Sequence, residues 1–325
     1  MAKITVVIPN YNGIKYLKTC LESLYSQEEG TPEYHVLIVD NASKDGSIEQ
    51  AQELFPQTQI IRLATNTGFC HAVNVGIQES DTPYIILLNN DTKVKSTFVK
   101  HLYRAIEKDS KIFSVSARML MWDRPDLMDG AGDLYNVLGW AFARGKGRSA
   151  SKYNKPSRIF SSCGGAVIYR RSILEQIGLF DELHFAYLED LDLGYRAQIH
   201  GYCNIYEPQA EVLHYGSAST GSRYNEFKTK LSSANNLYVI YKNMPILQIL
   251  WNLPCLLLGF FVKWLFFVRK GMGRTYLQGL QTGWKRCLSE EGRGRKVRFE
   301  FNNLSHYFNI QWQLYVNLLK FIAKN

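Results

Sequence analysis

The feature that most constrains this chain is the alternation, through its first half, of short wholly apolar runs with amphipathic stretches. Residues 4–9 form a continuous apolar run, as a strand buried on both faces requires. Ile14, Leu17, Leu21 and Leu24 then recur at steps of three and four, the spacing of one helix face. The pattern repeats, with strands expected at 34–40, 59–63, 84–88 and 112–117 and helices at 47–54, 69–79 and 96–108. Such alternation predicts an α/β fold with a parallel sheet and helices on both faces. Ligands bind these sheets beyond the carboxyl ends of the strands. Chemistry is therefore expected in the loops after Pro9, Asp40, Leu63 and Leu88.

The periodicity fails over residues 118–162, where glycines stand among Asp, Arg and Trp, and long loops are expected there. It returns with a strand at 164–169 and a helix at 171–177. A further helix runs from 189 or 190 to 200, stopped by Gly201, and a short strand at 211–213 precedes His214. The 325 residues are 46% hydrophobic and 21% charged, which excludes a disordered, collagenous or disulfide-miniprotein chain. The six cysteines lie far apart with no C-x-x-C, which fits free thiols in a reducing cytosol rather than a zinc ribbon. An apolar strand follows directly on Met1-Ala2-Lys3, so no signal peptide is read and a cytoplasmic location is expected.

Four loops at the expected strand ends share an unusual composition: Pro9-Asn10-Tyr11-Asn12-Gly13, the segment from Asp40 to Ser47, Asn66-Thr67-Gly68-Phe69, and Asn89-Asn90-Asp91-Thr92. Each alone reads as well as a turn and a helix cap. Four on one sheet edge point to a ligand site. Six stretches then occur in the order of one family: VVIPNYNG (6–13), VDNASKDGS (39–47), NTGFCHAVNVGI (66–77), LLNNDT (87–92), CGGAVIYRRSIL (163–174) and GLFDELHFAYLEDLDLGYRAQIHGY (178–202). The chain, over roughly residues 1–220, resembles a family 2 glycosyltransferase with the nucleotide-sugar-binding GT-A fold. Its DNAS segment and Asn-Asn-Asp loop resemble the rhamnosyltransferase-like branch.

The resemblance implies site residues. The donor nucleotide would lie against Pro9, Tyr11, Asn12, Asp40, Asn66, Gly68, Asn90 and Gly165. Tyr11 would stack on a pyrimidine and Asp40 accept its ring N–H. For Tyr11 the alternative is a half-buried loop aromatic, and for Gly164-Gly165 it is tight strand packing. Asp91 takes the last position of the D-x-D metal motif and would hold Mg²⁺ or Mn²⁺ by oxygen. Asn89 replaces the first acid of that motif with a weaker, neutral ligand. His214 reads equally as a completing metal ligand or as a satisfied structural histidine. Glu189, Asp190 and Asp192 form the densest acidic cluster of the body, either a negatively charged first helical turn or the seat of a general base. Inverting transfer needs a base for the acceptor hydroxyl. The base is assigned to Asp190, with Glu189 orienting the acceptor or serving as the base itself.

Charge divides the chain. Residues 226–325 hold 15 Lys and Arg against 4 Asp and Glu, a net +11, whereas residues 1–225 carry a net −2. The expected division is a catalytic domain, 1–225, and a basic apolar helical region, 226–325. Within the latter, residues 244–268 are strongly apolar but interrupted by Pro245, Gln248, Asn252, Pro254 and Lys263, and residues 310–322 form another apolar helix. Flanking Lys and Arg with interleaved tryptophans fit a segment lying in an anionic membrane surface. A helical subdomain with an ordinary core, or an oligomer interface, is the alternative. No nucleic-acid recognition motif is present.

Together these readings predict an inverting, metal-dependent glycosyltransferase, peripheral on the inner face of the cell membrane. It would take dTDP-rhamnose, or next a UDP-sugar, to a lipid-linked saccharide or polysaccharide acceptor. Two rivals stand beside it. A nucleotidyltransferase would want cations in a Gly-rich loop after the first strand, and Asn10-Tyr11-Asn12-Gly13 has none. A non-catalytic carbohydrate-binding scaffold would not need Asp40, Asp91 and Asp190 together.

Overall fold

The computed structural model describes residues 2–216 and 225–323. Its first half follows the alternation read above: β1 (Ile4–Asn10), α1 (Leu17–Tyr25), β2 (Tyr34–Asp40), α2 (Ser47–Leu54), β3 (Gln59–Arg62), α3 (Phe69–Gln78), β4 (Tyr84–Leu88), β5 (Thr92–Val94) and α4 (Phe98–Ile106). Successive strand side chains point to opposite faces, so each apolar run serves two cores. Val6 and Ile8 pack with Leu17, Leu21 and Leu24 of α1 and Leu102 of α4. Val7, Leu37 and Val39 pack with Val73 and Ile77 of α3. β3, β2, β1 and β4 lie side by side and parallel. That register sets Asn10 beside Asp40.

The second half reverses direction. β6 (Ile112–Met121), β7 (Met128–Gly130), β8 (Asp133–Tyr135), β9 (Ala141–Ala143), β10 (Ser157–Ile159), β11 (Ala166–Arg170), α5 (Arg171–Ile177), α6 (Glu189–Ile199) and β12 (Cys203–His214) complete the body. The main sheet has the order β10-β12-β6-β11-β4-β1-β2-β3, with β11 antiparallel to both β4 and β6. Residues 118–162 are therefore not the long loops that the sequence suggests. β6 runs on to Met121, and β7 to β10 are three-residue strands, too short to show alternation. Glycines 132, 139, 145 and 147 turn the chain between them with left-handed φ of 71° to 82°. The strand expected at 211–213 is the end of the twelve-residue β12, whose last residues pair with β5 so that His214 faces Thr92.

Beyond Asn225, which caps α7 by accepting from the Lys228 N–H at 2.8 Å, the chain is helical. The elements are α7 (Glu226–Asn243), α8 (Ile246–Arg269), α9 (Gly273–Leu288), α10 (Glu290–Gly294) and α11 (Leu304–Ile322). Val239, Ile240, Met244, Leu256, Tyr307, Ile310 and Leu314 from this helical region enclose one core with Leu134, Tyr135, Phe160, Leu191, Tyr195 and Ile199 of the body. Burial of aliphatic and aromatic side chains at about 1.5–3 kcal/mol each holds the helices to the body.

Candidate active site

The four loops converge on one edge because β1, β2, β3 and β4 all run the same way. Asn10 is their hub. Its amide donates to Asp40 Oδ1 at 3.0 Å and to the hydroxyls of Ser43 and Ser47 at 3.1 Å each. Its Oδ1 accepts from Asn90 Nδ2 at 2.7 Å. The Asp40 carboxylate also accepts from the Ser43 N–H at 3.0 Å and hydroxyl at 2.5 Å. Asn12, with φ 52°, donates its N–H to Ser43 Oγ at 2.8 Å and accepts from the Lys44 N–H. The first two loops are thus stitched together. Pro9, next to last in β1, pairs with Val39, and Tyr11, just past the strand, is 43% exposed.

The third loop is fixed to the second by Asn41, which accepts from the Thr67 N–H and donates to the Gly68 carbonyl at 3.0 Å. Asn66 turns the loop by accepting from the Gly68 N–H. Gly68 has φ 89°, and a Cβ there would sit 2.5 Å from the Phe185 ring, so only glycine fits. Sequence reading did not single out Asn10 or Asn41. Their signal was weak: an Asn at each strand end, indistinguishable from turn residues.

Asp91 follows β4, buried, and the pairing of β12 with β5 brings His214 to it. His214 Nε2 lies 3.3 Å from Asp91 Oδ1, and Nδ1 lies 2.8 Å from Asp129 Oδ2. Lys146 reaches Asp129 at 2.7 Å. Burial opposes a charge on the His214 ring, but the bonds to Asp129 and Asp91 overcome it and raise its pKa to about 9. Burial likewise works against the Asp129 charge, and His214 and Lys146 outweigh it, holding the carboxyl at about 2. Asp129, on β7 inside the stretch read as loop, had no sequence signal.

This arrangement fits a hard divalent cation that takes the place of the His214 Nε2 proton, since only the neutral ring can ligate. A carboxylate oxygen and an imidazole nitrogen face each other, and a second carboxylate holds the far side of the ring, the usual support of a metal-bound histidine. Asp91 is not a helix cap, since β5 follows it and α4 begins only at Phe98.

Glu189 and Asp190 open α6 across the sheet edge. Gly164 and Gly165 bridge them to the fourth loop. The Gly164 N–H donates to Asp190 Oδ2 at 3.2 Å, and the Asn89 N–H donates to the Gly165 carbonyl at 2.9 Å. Asp190 Oδ1 accepts from the Leu191 N–H at 2.7 Å, whereas Glu189 Oε2 is buried without a hydrogen-bond partner among the described residues. Burial raises the proton affinity of both. For Glu189 the neighbouring Asp190 charge adds to it, and for Asp190 the two backbone donors restrain it. Asp190 therefore ionises the more readily of the pair. One ligand atom each from Asp133, Cys163 and Asp190 lies within 4.8 Å of the others. Asp192, the third acid, points away into a buried ion network with Lys242 (2.8 Å) and Arg196 (3.0 Å).

A family model described as Glycosyl transferase family 2 matches residues 5–178. The chain belongs to glycosyl transferase family 2. It is similar to the N-acetylglucosaminyl-diphospho-decaprenol L-rhamnosyltransferase of Mycobacterium tuberculosis, 29% identical over 247 residues, 67% of this chain and 78% of that protein. It is also similar to Glycosyltransferase GlyG of Streptococcus pneumoniae serotype 4, 28% identical over 188 residues, 56% of this chain and 60% of that protein. Solved structures show the GT-A fold. GalNAc-T7 with UDP, GalNAc and Mn²⁺ superposes at a TM-score of 0.61 and 17% identity, over 74% of this chain and 48% of that chain. Mannosyltransferase PcManGT from Pyrobaculum calidifontis with GDP-Man and Mn²⁺ does so at 0.53 and 14%, over 96% and 84%.

Proposed function

We propose that this family 2 glycosyltransferase transfers a sugar, rhamnose foremost, with inversion from a dTDP- or UDP-linked donor to a lipid-linked saccharide. The observation that carries this reading is the Gly164-Gly165 turn before β11, which bonds Asp190 through the Gly164 N–H and the Asp91 loop through the Gly165 carbonyl. The rhamnosyl group and diphospho-decaprenol acceptor named for the mycobacterial relative support the choice of donor and acceptor.

In this mechanism Tyr11 stacks on the pyrimidine, Asp40 accepts its ring N–H, and Pro9, Asn12, Asn66, Gly68, Asn90 and Gly165 line the donor. Asp91 and His214 would hold Mn²⁺ or Mg²⁺, and the ion would supply positive charge to offset the diphosphate. Asp190 takes the proton of the acceptor hydroxyl as its oxygen attacks the anomeric carbon from the face opposite the nucleotide. Glu189, protonated, keeps a second negative charge away from that oxygen.

The same reading places the enzyme on the cytoplasmic face of an anionic membrane, with 226–325 as the docking region. α8 is long and apolar enough to cross a membrane by length and composition. Its middle, however, lies against the body. Trp140 Nε1 donates to the Gly259 carbonyl at 3.1 Å, and a Cβ on Gly259 would collide with the Leu138 carbonyl. Leu247, Leu250, Trp251, Leu257, Leu258, Phe261 and Leu265 of α8 are exposed. So are Leu304, Phe308, Trp312, Tyr315 and Leu319 of α11, one stripe at helical spacing. The helices are joined by Trp251 to Tyr315 (2.8 Å) and Asn252 to Gln311 (2.8 Å). Residues 244–289 contain six Lys and Arg and no acid, which complements anionic headgroups. Such a surface suits helices lying in the interface.

The test is turnover of the full chain with dTDP-rhamnose, UDP-glucose, UDP-galactose and UDP-GlcNAc, on polyprenyl-diphosphate-GlcNAc in anionic vesicles. One donor should release nucleoside diphosphate with an inverted product anomer, and EDTA should stop it. Retention of configuration, or full activity in EDTA, overturns the mechanism. Equal sedimentation with neutral and anionic vesicles, or a lipid-free dimer that ignores vesicles, overturns the membrane reading.

A further inference from the structure

The residues leading into Glu189 have an uncommon backbone. Phe185, Tyr187 and Leu188 have φ of 61°, 70° and 66°, and none is glycine. Each such residue costs conformational free energy and persists only where its surroundings hold it. On one side the Cys70 N–H donates to the Phe185 carbonyl at 3.2 Å. On the other, the segment is held from outside the body. The fully buried Asn235 of α7 donates its side-chain amide to the carbonyls of His184, Ala186 and Tyr187 at 2.9, 2.8 and 2.7 Å. Two amide protons serve three acceptors, so at least one proton is shared.

The other end of that amide is also spoken for. Arg286 of α9 donates to Asn235 Oδ1. A guanidinium has only donors and the three carbonyls only accept, so one amide orientation satisfies all four groups. The neighbouring contacts fix α7 in place: Lys242 bridges Asp181 (2.7 Å) and Asp192 (2.8 Å), and Tyr238 donates to Asp181 at 2.9 Å.

We propose that Asn235 is a positioning residue of the active site: it clamps residues 184–188 in their left-handed path and so sets where Glu189 and Asp190 stand. This rests on the assignment of the base to Asp190. The bonds from Gly164 and Leu191 orient the Asp190 carboxylate but leave the path of the preceding chain open. A base must lie within hydrogen-bond reach of its proton, and a displacement of about 1 Å can cost on the order of 10²-fold. The helical region thus completes the catalytic centre through a residue that touches no substrate.

The experiment uses the full chain with Asn235→Ala and Arg286→Met, measuring kcat, donor KM, and hydrogen exchange of residues 184–190. Asn235→Ala should lower kcat about 10- to 100-fold, move donor KM less than threefold, and raise exchange in 184–190 while β1 and β4 stay protected. Arg286→Met, partly exposed and away from the carbonyls, should do the same to a lesser degree and carries the test if Asn235→Ala does not fold. Unchanged exchange at 184–190, or kcat within twofold with only a lower Tm, overturns the clamp. Asp190→Asn and Glu189→Gln in the same assay separate the two ideas. Wild-type turnover in both would remove the base, whereas the exchange data judge the clamp on their own.

Discussion

The two sides of the proposed active site are built differently. The donor side, residues 9–91, is held by side-chain hydrogen bonds of Asn10, Asn12, Asn41, Ser43 and Asn90, with Asn10 as the hub and the Asp40 carboxylate among the acceptors. The base side is held by formal charges in the interior: Asp181 and Asp192 meet Lys242, and Arg295 reaches Asp181 at 2.7 Å. Donor-side partners come from loops that a parallel sheet must bring together. Base-side partners come from helices 50 to 114 residues further along the chain. The difference teaches where each side is vulnerable. The first loses ligand affinity when a bond is cut, and the second loses fold and geometry.

The largest effect should come from the base side. Asp190→Asn keeps the shape and removes the basicity, and kcat should fall about 10²- to 10⁴-fold with donor KM little changed. Burial raises the Asp190 pKa, and the base must be ionised to act. The acid limb of the wild-type kcat profile should therefore lie above the ordinary aspartate range and be absent from the residual activity of the variant. Steady-state kinetics across pH checks both. Loss of activity in Glu189→Gln with a working Asp190→Asn would move the base by one residue.

Next is Lys242→Ala. It removes the cation shared by Asp181 and Asp192, both buried, which then keep Arg295 and Arg196 respectively as charged partners. The loss should reach at most the cost of breaking a buried pair from one side, about 3–5 kcal/mol. Urea unfolding measures it. A loss below about 1 kcal/mol would mean that the charges are not what fastens the helices.

Smaller still is a pH effect. Burial, aided by Lys242 and Arg286 and opposed by Asp192 and Asp181, lowers the His184 pKa to about 4. A histidine whose folded pKa is depressed binds fewer protons folded than unfolded. Its stabilising share is full above pH 6.5 and is lost as pH falls towards 4, by up to about 3 kcal/mol. His184→Leu should flatten that part of the stability curve. An equally steep curve in the variant would place the effect elsewhere.

The smallest effect belongs to the donor side. Ser43→Ala removes one hydroxyl shared by Asp40, Asn10 and Asn12, worth about 1 kcal/mol, so donor Kd should rise about fivefold. An unchanged Kd, by calorimetry, would show that this network does not shape the nucleotide site.

The same comparison explains what could be read in advance. α2 and α5 begin and end where the apolar spacing puts them, and the donor loops lie at the strand ends as the alternation requires. Local periodicity and strand direction determine both. The short strands at 128–159 were not legible because three residues carry no period. Asp129 and Asn235 were not legible because what gives them meaning is a partner 85 or about 50 residues away. The faces of α8 were ambiguous for a physical reason: the helix is apolar both where it packs on Leu138 and where it faces outward.

The central claim is that Asp91 and His214 hold a metal on the donor side while Asp190 works alone as base across the glycine bridge. Anomalous diffraction from crystals grown with Mn²⁺ and dTDP or UDP tests it most directly. The account predicts one strong peak in contact with Asp91 and His214 Nε2, touching the diphosphate, and lost in Asp91→Ala. A peak within the cluster of Asp133, Cys163 and Asp190, or nucleotide bound with no peak at all, would contradict it.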